Sequence, residues 1–332
     1  MLLRVFRENQ AFSLLLVLLL SVLLVILVSL NNVFEPGILS LYDHSAFYLF
    51  PWLRGLDHRV TLSTSINVFF VLITGFYISR LTVKHQLLSG RNLLPMLAYF
   101  FMALTWFNPY RGLSIQLITM PVLLFVTDQL FSSAERKYVS MSFFNSAMLL
   151  SIASIFYFNI IFYILFVFFL YFRLRGIYWR ELVFVILGAA LPYFSLFCLM
   201  YLFSSDISEY IASIKVLWQY KLVTVHSNAF LINITFLAIL FLISSGQAMN
   251  QYVKMKIITR KFSVSFFVFF AFSLAFILLI PSLNRDGILY ISAPLSFLFG
   301  FYFTTCRSNI LNQVLFFLFL AGNIVTLVYS YI

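Results

Sequence analysis

Polar side chains that could act on a substrate are concentrated in three stretches of an otherwise apolar chain. The first stretch contains two carboxylates and an imidazole, groups that can act as a general base toward a hydroxyl. The other two are an NPYRG turn and an NRDG turn, whose arginines could hold a phosphate or diphosphate in a bidentate manner. The candidate catalytic residues are therefore Glu35, Asp43 and His44, and the candidate ligands of a lipid phosphate are Arg111, Arg285 and Asp286.

Each candidate also has a simpler interpretation, which stays open at this stage. Glu35 precedes Pro36-Gly37 and could be a solvated turn residue. Asp43 and His44 could mark the polar face of an interfacial helix, and the arginines could contact phospholipid headgroups. Only proximity to one another would favour a common site.

Metal and cofactor motifs are missing from the sequence. There is no P-loop, no H-E-x-x-H and no C-x-x-C pattern, and the spacing of His58 and His226 matches no ligand set. We therefore expect no metal site and no cofactor, with a divalent metal left open. The chain has four histidines, and the predicted topology places His85 on the cytoplasmic side and the other three on the outer side. This separation argues against a membrane-embedded metal oxygenase or desaturase.

Composition defines the class of protein that must position these residues. Of 332 residues, 63% are hydrophobic and only 9% are charged, and the mean hydropathy is +1.03. Soluble domains carry about 25% charged residues, so a soluble enzyme, a disordered chain and a coiled coil are excluded. The expected fold class is an all-α polytopic membrane protein, folded as a single transmembrane domain over residues 1–332.

Apolar segments of membrane-spanning length predict about eleven transmembrane helices. Residues 11–30 form an unbroken apolar run with no cleavage signal after it, which favours an uncleaved first span. Further spans are expected at 63–80, 93–108, 114–131, 181–203, 229–246, 263–281, 288–304 and 310–331.

The remaining two spans come from residues 139–172, which carry no charge. One helix of this length would measure about 51 Å, too long for a bilayer. Basic clusters flank both ends, so we expect two short helices that turn near residues 157–159. One span plus a re-entrant segment is the alternative.

The distribution of charge predicts the orientation of the chain. The net charge is +11, which in a soluble protein would suggest a nucleic-acid partner. Here fifteen of the 21 basic residues fall on one side, which predicts a cytoplasmic N-terminus, an outer C-terminus and no nucleic-acid binding. Six basic residues fall outside: Arg54, Arg59, Arg111, Lys215, Lys221 and Arg285.

Two outer segments are longer than simple connections, and both are expected to be interfacial and amphipathic. Outer loop 1, about residues 32–62, mixes aromatic and charged residues at a density typical of a membrane interface. In the segment at about 204–228, isoleucines recur at helical spacing, which predicts an amphipathic helix lying on the membrane or docked on the bundle.

A few polar residues fall inside the predicted spans. Asp128 lies within one turn of the cytoplasmic end of its helix; an intramembrane acid is a functional candidate, although this one can reach the interface. Asn145, Asn159 and Asn233 are expected to join helices by hydrogen bonds.

A central region contains residues 151–157 (SIASIFY), the basic segment 173–180, the run YWRE at 178–181, Gly188 and Pro192-Tyr193. In these residues the chain resembles a bacterial family of polytopic inner-membrane proteins of unknown function. That resemblance implies no catalytic residues.

More loosely, the layout is similar to the multi-spanning GT-C glycosyltransferases that use polyprenyl-phosphate sugars. The shared features are a first span, an outer loop with an acid, short central helices, and an outer arginine before a helix containing Pro294. The likeness implies that Glu35 or Asp43 is the base and that Arg285 is a phosphate ligand. The first loop here is shorter than in that class, and no paired-acid signature or soluble outer domain is present.

The sequence therefore predicts a multi-pass protein of the bacterial inner (plasma) membrane, with membrane lipid and a lipid-linked sugar as the expected partners. The first hypothesis is a glycosyltransferase-like enzyme that acts on a polyprenyl-phosphate-linked sugar at the outer face. The alternative is a non-enzymatic transporter or flippase, or a membrane subunit of a cell-envelope assembly.

Overall fold

The computed structural model is a bundle of α-helices, and its described residues contain no β-strand. It describes residues 6, 10–31, 60–88, 92–106, 113–134, 139–175, 178–203, 207–216, 228–279, 288–306 and 309–329. The helices are α1 (Gln10–Asn31), α2 (Val60–Lys84), α3 (Leu94–Trp106), α4 (Ile115–Ser133), α5 (Ser140–Phe156), α6 (Tyr163–Arg175), α7 (Trp179–Leu202), α8 (Ile207–Val216), α9 (Asn228–Tyr252), α10 (Ile257–Leu279), α11 (Leu289–Thr305) and α12 (Ile310–Tyr329).

Six of the described helices are long and apolar enough to cross a membrane: α2, α4, α7, α9, α10 and α12. Apolar residues of the other helices also reach the surface; on α1, for example, Leu15, Leu19 and Val22 are exposed. Exposed leucine and valine at this density would be unfavourable in water and are expected against lipid. The apolar helices are thus those of a membrane protein.

The chain breaks where the charge-free segment is expected to turn. Helix α5 ends at Phe156, Tyr157 adopts an extended backbone, and a short 3-10 helix (Phe158–Phe162) leads into α6. Asn159 and Ile160 in this break are buried. Non-helical backbone at membrane depth is tolerated where protein covers it, so a helix break at this position is compatible with two short helices.

Two short helices, α3 and α11, form the centre of the bundle. Every residue of α3 is buried, and so is nearly all of α11. Their backbones approach closely because position 300 is glycine: a Cβ atom there would lie 2.5 Å from Cγ of Pro95. Helices α2, α9, α10 and α12 pack around this pair.

Helix α7 lies at the periphery and is attached mainly to α5. A Cβ atom on Gly188 would overlap the backbone carbonyl of Phe144, so this contact requires glycine. Ser151 donates a 2.6 Å hydrogen bond to the carbonyl of Ala189 in the same contact. The amphipathic segment expected after this helix does contain a helix, α8, whose Tyr210 lies in an edge-to-face contact with Phe197 of α7.

Candidate functional site

The most concentrated group of ionisable side chains in the described residues surrounds Asp128 of α4. Lys84, the last residue of α2, places Nζ 2.8 Å from both carboxylate oxygens. His85 places Nε2 2.7 Å from Oδ1, and the Tyr77 hydroxyl donates to Oδ2 at 3.0 Å. Lys84 also reaches the Ser132 hydroxyl at 3.0 Å. We refer to these five residues as the Asp128 cluster.

The C-terminus of α2 is shaped to present this cluster. The amide of Leu87 bonds to the carbonyl of Thr82, and that of Gln86 bonds to the carbonyl of Val83, which is the Schellman arrangement. Gln86 has a φ of 51°, a left-handed conformation that usually belongs to glycine. The turn stops the helix at Lys84 and directs His85 back toward α4.

His85 is held on every side. Its ring makes edge-to-face contacts with Phe131 and Phe262, and its side chain is 5% exposed. A carboxylate only accepts hydrogen bonds, so Nε2 of His85 must carry the proton in this pair. The imidazole is therefore placed to donate to Asp128 and orient it, and it is too enclosed to meet a substrate.

Lys84 differs, because its side chain is 44% exposed. It borders an open cleft of about 410 Å³ between the end of α2 and the residues that precede α3. The cluster can thus hold an ammonium group at the wall of a cleft. In the part of the chain that the structure describes, no three His, Cys, Asp or Glu residues converge as a metal site would require.

A second polar group is buried at the opposite end of α2. The amide of Ser114, which precedes α4, donates a 3.0 Å hydrogen bond to Oδ1 of Asn67 in α2. One turn further along α4, the Thr119 hydroxyl lies 2.7 Å from the hydroxyl of Tyr290 at the start of α11. Hydrogen bonds therefore join the beginning of α4 to α2, two turns after the start of that helix, and to the beginning of α11.

The break between α5 and α6 joins this end of the bundle. The ring of Tyr290 stacks on that of Tyr157 and lies 5.6 Å from that of Tyr163. The Tyr163 hydroxyl is 2.9 Å from that of Ser273 in α10. Five helices thus meet around Tyr290 within the apolar bundle. We refer to the polar residues that meet there as the Tyr290 region: Thr119, Tyr157, Tyr163, Ser273 and Tyr290.

The six predicted site residues lie outside the described residues: Glu35, Asp43, His44, Arg111, Arg285 and Asp286. Their assignment as catalytic and phosphate-binding residues stays a prediction. The described residues that follow Arg111 and Arg285-Asp286 in sequence lead into the Tyr290 region, whereas Glu35, Asp43 and His44 are followed by described residues only from Val60 onward. Ser114 comes three positions after Arg111, and Tyr290 comes four positions after Asp286.

Sequence reasoning identified Asp128 as an intramembrane acid but not its partners. Lys84 and His85 are 44 and 43 positions away, so no local pattern connects them. The sequence does contain a signal for these partners, because the predicted topology puts the C-terminal ends of α2 and α4 on the same side of the membrane. An acid one turn from that side needs a partner there, and Lys84-His85 is a basic pair at the same depth.

The expectation that Asn233 joins helices is confirmed. Its Nδ2 lies 3.3 Å from Oδ1 of Asn323 and 3.3 Å from the Thr326 hydroxyl, both in α12. The Thr105 hydroxyl of α3 donates to the same Asn323 oxygen at 3.1 Å. The asparagine-threonine junction therefore links α3, α9 and α12.

No protein-family model, curated protein or solved structure matches the chain.

Proposed function

We propose that the chain is a multi-pass inner-membrane enzyme resembling the GT-C glycosyltransferases, and that it transfers a sugar from a polyprenyl-phosphate carrier at the outer face. In this proposal eleven spans run from a cytoplasmic N-terminus to an outer C-terminus. Glu35 or Asp43 acts as the base, with His44 beside them, and Arg111 and Arg285 bind the carrier phosphate.

One observation carries the proposal. Two of the three stretches, those of Arg111 and of Arg285-Asp286, lead directly into α4 and α11, and the Thr119–Tyr290 hydrogen bond joins the beginnings of these two helices. Residues a few positions upstream are thereby restricted to the same end of the bundle, because each residue extends the chain by at most about 3.6 Å. That arrangement supports a shared site, as transfer from a lipid phosphate requires.

The chemistry follows from the residue types. A carboxylate within hydrogen-bond reach of an acceptor hydroxyl can remove its proton as the new glycosidic bond forms. Two guanidinium groups can stabilise the negative charge that grows on the departing lipid phosphate. The lateral lipid surface of the bundle offers the apolar environment that a polyprenyl chain needs.

The functional test compares isosteric variants with matched controls. Glu35→Gln, Asp43→Asn and Arg285→Ala would be expressed in a strain that lacks the gene, and polyprenyl-linked sugars and surface glycans would be quantified. The controls are Asp206→Asn and Lys221→Ala, which remove the same charges from the other outer segment. We expect Arg285→Ala and at least one acid variant to reduce product about 100-fold or more, and the controls to leave it unchanged. Unchanged product in all three variants at normal protein levels would overturn the proposal.

A geometric test is independent of substrate. Arg111→Cys and Arg285→Cys would be combined in a chain whose Cys198 and Cys306 are replaced by alanine. Because Thr119 and Tyr290 are in contact, we expect a short bifunctional maleimide to join the two new thiols. A control pair, Arg111→Cys with Lys254→Cys, should not react, since Lys254 follows the far end of α9. Equal cross-linking of both pairs would contradict convergence.

The transporter or flippase remains the second candidate, and the Asp128 cluster is the observation that favours it. Ionisable residues within spans often line ion or substrate pathways. The enclosure of His85 argues that this cluster stabilises the fold at one membrane face. Uptake or lipid-flipping activity abolished by Asp128→Asn, with glycan products intact, would favour this alternative.

A further inference from the structure

An open cleft lies at the end of α2 that is remote from the Tyr290 region. Its volume is about 410 Å³, within the range of small-ligand sites. It is bounded by the last turns of α2 and by the two residues before α3. The lining residues are Phe76, Ser79, Arg80, Val83, Lys84, Asn92 and Leu93.

The polar residues of this cleft can all donate hydrogen bonds, and none is acidic. Arg80 is exposed and, among the described residues, forms no salt bridge. The Asp128 cluster holds the Lys84 ammonium at the same wall. Asn92 uses Oδ1 to accept from the amide of Leu94, which leaves its Nδ2 group as a donor. A site composed of hydrogen-bond donors, with the unpaired Arg80 guanidinium beside a Lys84 ammonium whose charge Asp128 balances, suits an anion with several oxygen atoms.

Ser79 provides an independent indication of a ligand. Its side chain lines the cleft, the residue is 5% exposed, and its hydroxyl has no hydrogen-bond partner in the structure. Buried hydroxyls without a partner are uncommon because desolvation is unfavourable unless a hydrogen bond replaces water. Other serines of the bundle, such as Ser244 and Ser265, bond to a backbone carbonyl in their own helix. The Ser79 hydroxyl, at the wall of the cleft, thus lacks the intrahelical bond that those serines form.

Apolar residues around the cations point to the rest of the ligand. Phe76 is 41% exposed, and Phe69, two turns away on the same face of α2, is 58% exposed. Because α2 is a candidate membrane span that ends at Lys84, this face runs from the interface into the acyl region. A phosphate at the cleft would therefore have an apolar surface beside it that suits an acyl chain.

We propose that this cleft binds the phosphate of an anionic membrane lipid. Arg80 neutralises the phosphate, Lys84, Ser79 and Asn92 donate to its oxygens, and Phe76 packs against the upper acyl chain. The site is separate from the one proposed for catalysis, since Arg80 lies three turns and more along α2 from Asn67.

Binding would be measured on the full chain in detergent, by native mass spectrometry and by fluorescence with a short-chain phosphatidylglycerol probe. Phosphatidylcholine of the same chain length is the zwitterionic comparison. Arg80→Gln should weaken phosphatidylglycerol binding about tenfold or more, because one charge-assisted contact is lost. Arg180→Gln, an exposed arginine at the start of α7, is the matched control and should leave affinity unchanged.

Ser79→Ala separates a binding role from a structural one. The hydroxyl has no partner in the unliganded chain, so thermal stability without lipid should not fall, while the affinity for phosphatidylglycerol falls several-fold. Lower stability with unchanged affinity would contradict the proposed role.

Competition distinguishes the lipid from a free anion. Inorganic phosphate and glycerol 3-phosphate should displace the probe only at concentrations far above those of short-chain phosphatidylglycerol. Equal displacement by inorganic phosphate would overturn the acyl part of the proposal. Equal binding of phosphatidylcholine, or an equal effect of Arg80→Gln and Arg180→Gln, would overturn the site itself.

Discussion

Asp128→Leu tests how a single carboxylate joins the ends of α2 and α4. The substitution removes the carboxylate acceptor that His85, Tyr77 and Lys84 share. The His85 bond is enclosed and charge-assisted, so its loss costs about 1.5–3 kcal/mol. The Tyr77 bond adds about 1 kcal/mol, and the Lys84 pair at most about 1 kcal/mol because its side chain is 44% exposed. The total is about 3–5 kcal/mol, as for other broken buried pairs.

The purified full chain would be heated in detergent, and the folded fraction would be measured by fluorescence-detected size exclusion. A loss of this size should lower the midpoint on the order of 10 °C. Asp128→Asn keeps one acceptor oxygen and should lower the midpoint about half as far. Lys84→Met is the matched control, with a small effect, because the exposed ion pair contributes little and Asp128 keeps its bonds to His85 and Tyr77.

A double variant identifies the physical cause. Asp128→Leu with His85→Phe removes both buried polar groups and keeps an aromatic ring between Phe131 and Phe262. Because an unpaired buried group costs more than an absent pair, the double variant should be more stable than Asp128→Leu alone. His85→Phe would also be measured alone. Additive effects of Asp128→Leu and His85→Phe in the double variant, or a midpoint of Asp128→Leu within about 1 °C of the parent chain, would refute this cause.

Other substitutions test the backbone features by the same thermal assay. Gln86→Gly should stabilise the chain by about 1 kcal/mol, because glycine adopts a φ of 51° without strain; no gain would contradict the Schellman turn. Gly188→Ala should destabilise by about 2 kcal/mol or more through its overlap with Phe144, whereas Gly246→Ala, with nothing within 4 Å, should be neutral or slightly stabilising. Asn323→Leu should cost about 1 kcal/mol, the usual scale of interhelical hydrogen bonds in membranes, and a cost near zero would show that the junction is dispensable.

Helix positions were predictable because apolar runs and their interruptions are local properties of the chain. The expected spans at 114–131 and 288–304 correspond to α4 (Ile115–Ser133) and α11 (Leu289–Thr305) within a few residues. The break near Tyr157 was also predictable, because a single helix of 34 residues would exceed the membrane. Hydropathy carries this information without any knowledge of packing.

Packing partners were not predictable in the same way. The high apolar content makes α3 and α7 look alike in sequence. Yet every residue of α3 is buried, whereas only 17% of the residues in the most apolar stretch of α7 are buried. The Asp128 cluster and the Thr119–Tyr290 contact join residues that are 43 to 171 positions apart. Such pairs depend on which helices are neighbours in the bundle, and one apolar helix face can pack equally well against many other helices.

The burial of α3 against α11 has a consequence for biosynthesis. Roughly 180 residues separate the end of α3 from the start of α11, so at 5–20 residues per second the ribosome needs about 10–40 s to supply the partner. During that interval the face of α3 around Pro95 is left against lipid or an insertion factor. A ribosome stalled before Leu289 would leave a chain whose central groove is open, and a peptide that spans α11 could then complete the bundle when supplied separately.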